Sequence, residues 1–294
     1  AFKPFVYAAA LDSERFTPAT LVDDSPVVFD GWMPRNFDGE YRGPIRLREA
    51  LANSVNAVAA KVANDIGIES VSVLATKMGI STPLENDLSL ALGSSVVLPV
   101  DLASAYCGIA NGGRRVAPRY VLQEGDIPAP EEEGEQVLRS EVAFLLTSMM
   151  QSVVSDGTAR MALRLGRPAA GKTGTTNKQK DAWFAGFTPQ MVAVVWVGFD
   201  APRSLGSKET GARAALPIWL NFMRNALRGT PKRPFTQPPG VVVERIDPAS
   251  GLLAGDDTLD AIEEFFVAGT EPKKRASAPD SINPDTILMG TDIP

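Results

Sequence analysis

The sequence predicts an α/β fold in which an antiparallel sheet is flanked by helices. The clearest element is a helix that Ser140 can cap. Its apolar residues recur at helical spacing, at Val142, Leu145, Leu146, Met149, Met150 and Val153. Strands are predicted at 170–176, 182–187 and 191–198. Their short connections require antiparallel neighbours, and a helix predicted over 214–227, with Trp219 and Phe222 on its apolar side, would cover the sheet.

The remaining pattern places more helices before this sheet and an irregular segment after it. Helices are predicted at 1–11, up to about residue 51, at 57–66 and at 98–110. Pro4 fits the first of them, because the N–H that proline lacks would have no partner within the first turn of a helix. The Pro/Gly/Asp-rich stretch 23–44 predicts a loop with packing anchors at Trp32, Phe37 and Tyr41. A strand-like run at 241–246 closes a predicted domain over 1–246, and 247–294 is expected to be a largely irregular extension.

Composition excludes several classes of function. The chain has 294 residues, 44% of them hydrophobic, which is enough for a large core. It contains one Cys and no His, which excludes an internal disulfide, the usual zinc sites and a histidine base. A catalytic base must then be Lys, Asp, Glu or Tyr, and Cys107 is expected to be an inert buried thiol. The net charge of -6 offers no basic field to a nucleic acid, and apolar runs such as 191–199 are too short to span a bilayer.

Three short pieces contain residue types that could carry chemistry. Lys3 stands in the first of them, Ser54-Val55-Asn56 interrupts two helices, and Lys172-Thr173-Gly174 lies in the first predicted strand of the sheet. Each has a simpler interpretation, as a surface lysine, a capping break between helices, or an ordinary edge strand. Tripeptides of this kind occur by chance in most proteins, but the three pieces in this order and spacing are far more specific.

In this order the pieces resemble the active-site motifs of penicillin-recognising serine enzymes, Ser-X-X-Lys, Ser-X-Asn and Lys-Thr-Gly. Other segments resemble class A penicillin-binding proteins, at 36–38, 41–44, 47–51, 90–93, 111–113, 181–187 and 195–198. The resemblance extends from residue 1 to about residue 270. It implies the penicillin-binding and serine β-lactamase-like fold.

One position departs from the family pattern. The first motif requires a serine three residues before its lysine, and that position lies directly before Ala1. The context from Ala1 to Phe5 otherwise fits, so truncation just after the serine is the simpler explanation. The resemblance then implies a glycosyltransferase domain and a membrane anchor further upstream. A naturally degenerate module is the alternative.

The resemblance assigns the two lysines different roles. A serine and a lysine three apart lie one turn apart on a helix, so Lys3 can take the hydroxyl proton. Its amine must be neutral, so its pKa must fall by about three from the free value of about 10.4, through burial beside a second cation. That cation is Lys172, which would also hold the carboxylate that ends the substrate, helped by the hydroxyls of Thr173 and Thr175.

The other motif residues are implied to act on the substrate and the leaving group. Ser54 would relay a proton between Lys3 and the leaving amine, and the Asn56 amide would hold the substrate's penultimate carbonyl or side-chain amide. Gly174 would let the acyl donor lie along the strand as an added antiparallel neighbour. The N–H of Thr175 and the N–H of the missing serine would form the oxyanion hole. No metal or other cofactor is expected.

The implied function is that of a peptidoglycan D,D-transpeptidase. D-Ala-D-Ala ends of stem peptides would acylate the serine with release of D-Ala, and an amine of a neighbouring stem would take the acyl group. β-Lactams would mimic the donor, and the site would face the extracytoplasmic side of the bacterial membrane. Two alternatives stay open, namely hydrolysis, as in carboxypeptidases and serine β-lactamases, and a non-catalytic module that binds cell-wall peptide.

The resemblance also makes a prediction about the sheet edge. The family's sheet has five strands, two of which are built largely from chain before the serine. The strand over 191–197 would then lack a neighbour on one side. Seven residues with unpaired N–H and C=O groups would form an edge prone to aggregation.

Overall fold

The computed structural model describes residues 1–121, 123–124, 127–128 and 133–276, and it confirms the α/β class with antiparallel strands flanked by helices. The helices are α1 (Lys3–Asp12), α2 (Leu47–Ala52), α3 (Asn56–Ile66), α4 (Ile68–Lys77), α5 (Pro99–Ala110), α6 (Ser140–Ser155) and α7 (Leu216–Ala226). The strands are β1 (Leu21–Asp24), β2 (Gly43–Arg46), β3 (Arg114–Arg115), β4 (Gln123–Glu124), β5 (Ile127–Pro128), β6 (Glu135–Gln136), β7 (Ala170–Thr175), β8 (Ala182–Thr188), β9 (Met191–Val197), β10 (Val241–Ile246) and β11 (Ile262–Val267). Single 3-10 turns lie at Leu88–Leu92, Arg160–Leu165 and Asn177–Gln179, and a π-helical turn, Gly211–Ala215, leads into α7.

Helix α1 lies in the middle of the core. All of its residues from Lys3 to Leu11 are buried, which is expected of a helix that is apolar on every side. It packs against α3, α4 and α6. Because Lys3 is the first residue of this helix, its amine is placed at the boundary of the core rather than on the surface.

The principal sheet has the order β7-β8-β9, with both pairs antiparallel. Helix α7 covers one region of it through Trp219, whose indole N–H donates to the carbonyl oxygen of Gly186 at 3.1 Å and whose ring meets Phe184 edge-on at 5.0 Å. Helix α6 packs on β7, and α5 packs on β8 and β9. In the part of the chain that the structure describes, β7 and β9 each have one strand neighbour, so the two edges of the sheet are open.

The C-terminal hairpin, β10 with β11, is joined to the helical body by a buried ion pair. Glu264 of β11 is completely buried, and Arg48 of α2 donates to both of its carboxylate oxygens, at 2.7 and 2.5 Å. The same guanidinium donates to the carbonyl oxygen of Ser148 in α6 at 2.8 Å. Strand β11 falls inside 247–294, which was expected to be largely irregular, and residues 277–294 of that expectation lie outside the described residues.

Several side chains lie elsewhere than the sequence pattern indicated. Ser140 is the first residue of α6, and Arg139, with extended backbone angles, takes the N-cap position, so the predicted cap is wrong. Phe222 is 52% exposed because it lies outside the buried stripe of α7, and Phe37 is 70% exposed. Cys107 is exposed rather than buried. Among the described residues no helix is long and apolar enough to cross a bilayer.

Candidate active site

The first two motifs meet around the amine of Lys3. This side chain is 7% exposed, and its Nζ donates to the carbonyl oxygen of Ser54 at 2.8 Å and to the Ser54 hydroxyl at 3.2 Å. It also donates to Oδ1 of Asn56 in a short hydrogen bond. The start of α1 therefore lies directly against the loop between α2 and α3. A hydroxyl within hydrogen-bond distance of a buried amine is an arrangement that can pass a proton.

Ser54 reaches Lys3 because its backbone is left-handed. Its φ of 59° is uncommon for a residue with a Cβ, and it costs about 1–2 kcal/mol. Two backbone hydrogen bonds maintain the turn, from Ser54 N to Leu51 O at 3.1 Å and from Val55 N to Ala50 O at 2.9 Å. Strain of this kind is retained where the surrounding structure enforces it, and it concentrates at functional sites.

The third motif adds a second buried amine. Lys172 of β7 is completely buried, and burial lowers its pKa to about 7. Its Nζ donates to the carbonyl oxygen of Thr173 at 3.3 Å. The pKa of Lys3 is lowered well below the usual lysine value, first by burial and then by the charge of Lys172. This is the electrostatic arrangement that a lysine base requires.

The start of the chain lies along the open edge of β7. Ala1 N donates to the carbonyl oxygen of Thr173 at 3.3 Å, and the Tyr106 hydroxyl donates to the carbonyl oxygen of Ala1 at 2.7 Å. A Cβ on Gly174 would lie 2.6 Å from Ala1 N and 3.1 Å from the Cβ of Trp183. Glycine is therefore required at position 174 even without a substrate, because any side chain there would push β7 away from Ala1 at the start of the chain.

The edge of β7 also presents an N–H group. Thr176 N donates to the carbonyl oxygen of Asp181, so residues 176 and 181 form a hydrogen-bonded pair of the β7–β8 ladder. In an antiparallel ladder such pairs alternate with pairs whose N–H and C=O groups point outward. Residue 175 is opposite 182, one step along, so the N–H of Thr175 points to the open edge. The carbonyl oxygen of Thr173 points the same way, as its bond from Ala1 requires.

The two threonine hydroxyls have protein partners that the sequence did not reveal. Thr173 shares a hydrogen bond of 2.9 Å with the hydroxyl of Thr158, and the hydroxyl of Thr175 accepts the N–H of Gly211 at 3.0 Å. A Cβ on Gly211 would lie 2.3 Å from the carbonyl oxygen of Trp183, so this position also requires glycine. The segment that leads into α7 is thereby packed directly on the end of β7.

The loop between β1 and β2 supports the second motif. The Asn56 side-chain N–H donates to the carbonyl oxygen of Arg35 at 2.7 Å, and the Asn56 backbone N–H donates to Oδ1 of Asn36 at 2.9 Å. Residues 36–38 belonged to the family resemblance, but the sequence indicated only aromatic packing anchors in this loop, and not that the polar side chain of Asn36 is buried. Among the described residues no group of three His, Cys, Asp or Glu side chains comes together as metal ligands.

The fold and the site together define a class of protein. An α/β domain that brings a buried lysine, a Ser-X-Asn turn and a Lys-Thr-Gly strand to one place is a penicillin-recognising serine acyl transferase. Residues 1–223 match the model of the penicillin binding protein transpeptidase domain, and residues 237–277 match that of the penicillin-binding protein 1A C-terminal domain. The chain belongs to the penicillin-binding protein transpeptidase family.

Individual relatives agree with this assignment. Penicillin-binding protein 1A of Pseudomonas aeruginosa is 37% identical, covering 100% of this chain and 43% of the relative, and that of Aquifex aeolicus is 38% identical, covering 92% and 39%. Among solved structures, penicillin-binding protein 1A of Haemophilus influenzae superposes with a TM-score of 0.86 at 31% identity, over 94% of this chain and 48% of that one. PonA1 of Mycobacterium tuberculosis in complex with penicillin V superposes with a TM-score of 0.73 at 28% identity, over 81% of this chain and 70% of that one. The chain spans less than half the length of the curated relatives it matches.

Proposed function

We propose that this chain carries the acyl-transfer step of peptidoglycan cross-linking, as the transpeptidase part of a longer protein that also holds a glycosyltransferase domain and a membrane anchor. The observation that carries the proposal is the buried Lys3 amine, which contacts both polar side chains of the Ser-X-Asn turn. Its pKa is lowered by burial and by the charge of Lys172. The protein would act on the extracytoplasmic face of the bacterial membrane. Stem peptides that end in D-Ala-D-Ala, and β-lactams that mimic them, would be its ligands.

The first half of the reaction acylates the serine expected directly before Ala1. Neutral Lys3 accepts the hydroxyl proton while the serine oxygen bonds to the carbonyl carbon of the penultimate D-Ala. The negative oxygen that forms is stabilised by the outward N–H of Thr175 and by the N–H of the serine itself. When the C–N bond breaks, Lys3 returns the proton through the Ser54 hydroxyl to the leaving D-Ala amine.

The second half reverses this sequence with a new amine. The acceptor amine of a neighbouring stem attacks the ester carbon and gives its proton to Lys3, and the serine leaves with a proton restored to its oxygen. Lys172 holds the terminal carboxylate of the donor during the first half, because its ammonium can form a charge-assisted hydrogen bond in a buried setting. Asn56 would hold an amide of the donor, and the hydroxyls of Thr173 and Thr175 would assist Lys172. The Thr175 hydroxyl accepts the N–H of Gly211, so its own proton remains available for donation.

The test uses the extended chain, defined as this chain preceded by the native residues that its gene encodes upstream. We expect a fluorescent penicillin to label the extended chain at the serine directly before Ala1 and to leave a chain of residues 1–294 alone unlabelled. Mass mapping of the adduct identifies the residue. An adduct on Ser54, or no adduct on a folded extended chain, would contradict the mechanism and favour a binding module.

A second assay separates transfer from hydrolysis. With stem-peptide substrate, transfer yields a cross-linked dimer and one D-Ala for each new bond, whereas hydrolysis releases D-Ala without dimer. We expect dimer to account for most of the D-Ala released. Release of D-Ala with no dimer, in the presence of a suitable amine acceptor, would assign the chain to the carboxypeptidases.

A further inference from the structure

The N-terminus of α3 is capped by a residue from a distant loop. The helix's own N-cap residue is Val55, whose side chain has no hydrogen-bonding group. The N–H groups of Asn56 and Ala57 donate instead to Oδ1 of Asn36, at 2.9 and 3.1 Å. Asn36 is 6% exposed and lies in the connection between β1 and β2. The first N–H groups of a helix have no partner within it, so Asn36 takes the part of the cap.

Asn36 is in turn held by Asp24 at the end of β1. The Asn36 side-chain nitrogen donates to Oδ1 of Asp24 at 2.8 Å and to the carbonyl oxygen of Glu40 at 2.8 Å. The Asp24 carboxylate is completely buried, and its Oδ2 accepts the backbone N–H of Arg42 at 3.0 Å. The Asn36 oxygen thus faces two donors while its nitrogen faces two acceptors. Only an amide in this orientation satisfies all four groups.

The same loop orients the side chain of Asn56. Because the nitrogen of that amide donates to the carbonyl oxygen of Arg35 at 2.7 Å, its oxygen is left facing the amine of Lys3. Residue 35 therefore orients the amide, and residue 36 fixes the backbone from which it extends. The other partners of the Lys3 amine belong to Ser54, two residues before Asn56. A shift of the α3 N-terminus would disturb every recorded acceptor of this amine.

We propose that Asp24 and Asn36 form a buried positioning pair that fixes the α3 N-terminus, and with it Asn56, against Lys3. The inference rests on the proposed function, because it assigns to the pair control over the rate of serine acylation. Neither residue contacts the reacting atoms. Asn36 accepts the backbone N–H groups of Asn56 and Ala57, and Asp24 acts through its hydrogen bond from Asn36.

The experiment exchanges the two side chains in the extended chain. Asn36→Asp places a second carboxylate beside the buried one of Asp24, and Asp24→Asn turns an N–H toward the donor on Arg42, so each is expected to lower the rate constant for penicillin acylation by about ten-fold or more. In Asp24→Asn/Asn36→Asp a carboxylate at position 36 accepts both N–H groups of α3, where the helix dipole favours an anion, and an amide at position 24 can donate to it. The carboxylate at position 36 still faces the carbonyl oxygen of Glu40, to which Asn36 donates, and the ion pair of Asp24 with Arg42 is lost. The double variant is therefore expected to react faster than either single variant and more slowly than the unsubstituted protein.

The rate constant is the decisive readout, because unfolded molecules lower the amplitude of labelling and leave its rate unchanged. Asp30→Asn is the matched control, because it removes the charge of an exposed carboxylate in the same connection between β1 and β2. It should react at the normal rate. Single variants that react at the normal rate would contradict the proposal that Asp24 and Asn36 position α3. A double variant that reacts no faster than the single variants would contradict it as well.

A second readout does not depend on the chemistry. Hydrogen exchange of the amides of Asn56 and Ala57 should be faster in both single variants and return toward normal in the double variant. If the unsubstituted extended chain is not labelled at all, the proposed function fails. The exchange pattern then still tests whether Asp24 and Asn36 fix the N-terminus of α3. Unchanged exchange in the single variants would overturn it.

Discussion

Lys172→Met is expected to stabilise the domain while it disables the site. The Lys172 side chain is completely buried, and burial lowers its pKa from 10.5 to about 7. In the unfolded chain the amine keeps its proton at pH 7, so folding must either bury that charge or remove it. Since each pKa unit corresponds to about 1.4 kcal/mol, the lysine costs about 4 kcal/mol of folding free energy at pH 7. Methionine has an unbranched side chain of similar length and carries no such cost.

The pH dependence gives this prediction its sign. Between about pH 7 and pH 10.5 the unfolded chain binds a proton that the folded chain has released, so the stability of the unsubstituted protein rises with pH across this window. At pH 10 the unfavourable contribution of the lysine has fallen to about 1 kcal/mol. The variant should therefore exceed the unsubstituted protein in unfolding free energy by about 4 kcal/mol at pH 7 and by about 1 kcal/mol at pH 10.

Urea denaturation of the extended chain, followed by tryptophan fluorescence at both pH values, measures this difference. Lys232→Met, at an exposed position, is the control and should change stability at neither pH. Penicillin acylation of Lys172→Met should fall by about a hundred-fold, because a charge-assisted hydrogen bond to the ligand carboxylate is lost. An equal difference in stability at both pH values would contradict the lowered pKa of Lys172. Unchanged acylation would contradict the proposal that Lys172 holds the ligand carboxylate.

Three further outcomes test the packing around the site. Gly211→Ala would place a Cβ 2.3 Å from the carbonyl oxygen of Trp183 and 2.5 Å from that of Gly174, so β7 must move. Penicillin acylation should then slow by about ten-fold, and a normal rate would contradict this prediction. Glu264→Gln leaves the guanidinium of Arg48 without its carboxylate and should lower the unfolding free energy by about 3 kcal/mol in urea denaturation; a loss below about 1 kcal/mol would refute it. A chain of residues 1–294 alone, with the edge of β9 open, should aggregate in size-exclusion chromatography, whereas a monomer that melts cooperatively would show that this edge is harmless.

Local periodicity located six of the seven described helices, all but α4, because a buried face repeats along the chain at a fixed interval. Of the eleven described strands it located four, β7 to β10. Strand β11 was missed for a physical reason. Its sequence, Ile262–Val267, has two consecutive glutamates in its middle, which breaks the alternation of a half-buried strand. Glu264 is buried only because Arg48, 216 residues away, neutralises it. No pattern within the strand carries that information.

The site was predictable to the extent that its residues stand in contiguous motifs. Lys3, Ser54 and Asn56 are brought together as the motif order indicated. The residues that orient the motifs were not predictable, because they approach only through folding. Asn36 contacts the second motif across 20 residues, and Gly211 contacts Thr175, directly after the third motif, across 36. In sequence each is an ordinary loop residue, and only the packing shows that its amide or its missing side chain is required.

In the proposed mechanism the two buried lysines have different roles, because the substrate carboxylate contacts only Lys172. In the part of the chain that the structure describes, the recorded partners of Lys3 and Lys172 are carbonyl, hydroxyl and amide oxygens rather than carboxylates. Such neutral oxygens compensate burial only in part, so both pKa values fall. A ligand carboxylate beside Lys172 favours its ammonium form, and binding therefore takes up a proton there. In that mechanism Lys3, whose acceptors are held by the turn from Ser54 to Asn56, has no anionic partner and supplies the neutral amine that accepts the serine proton.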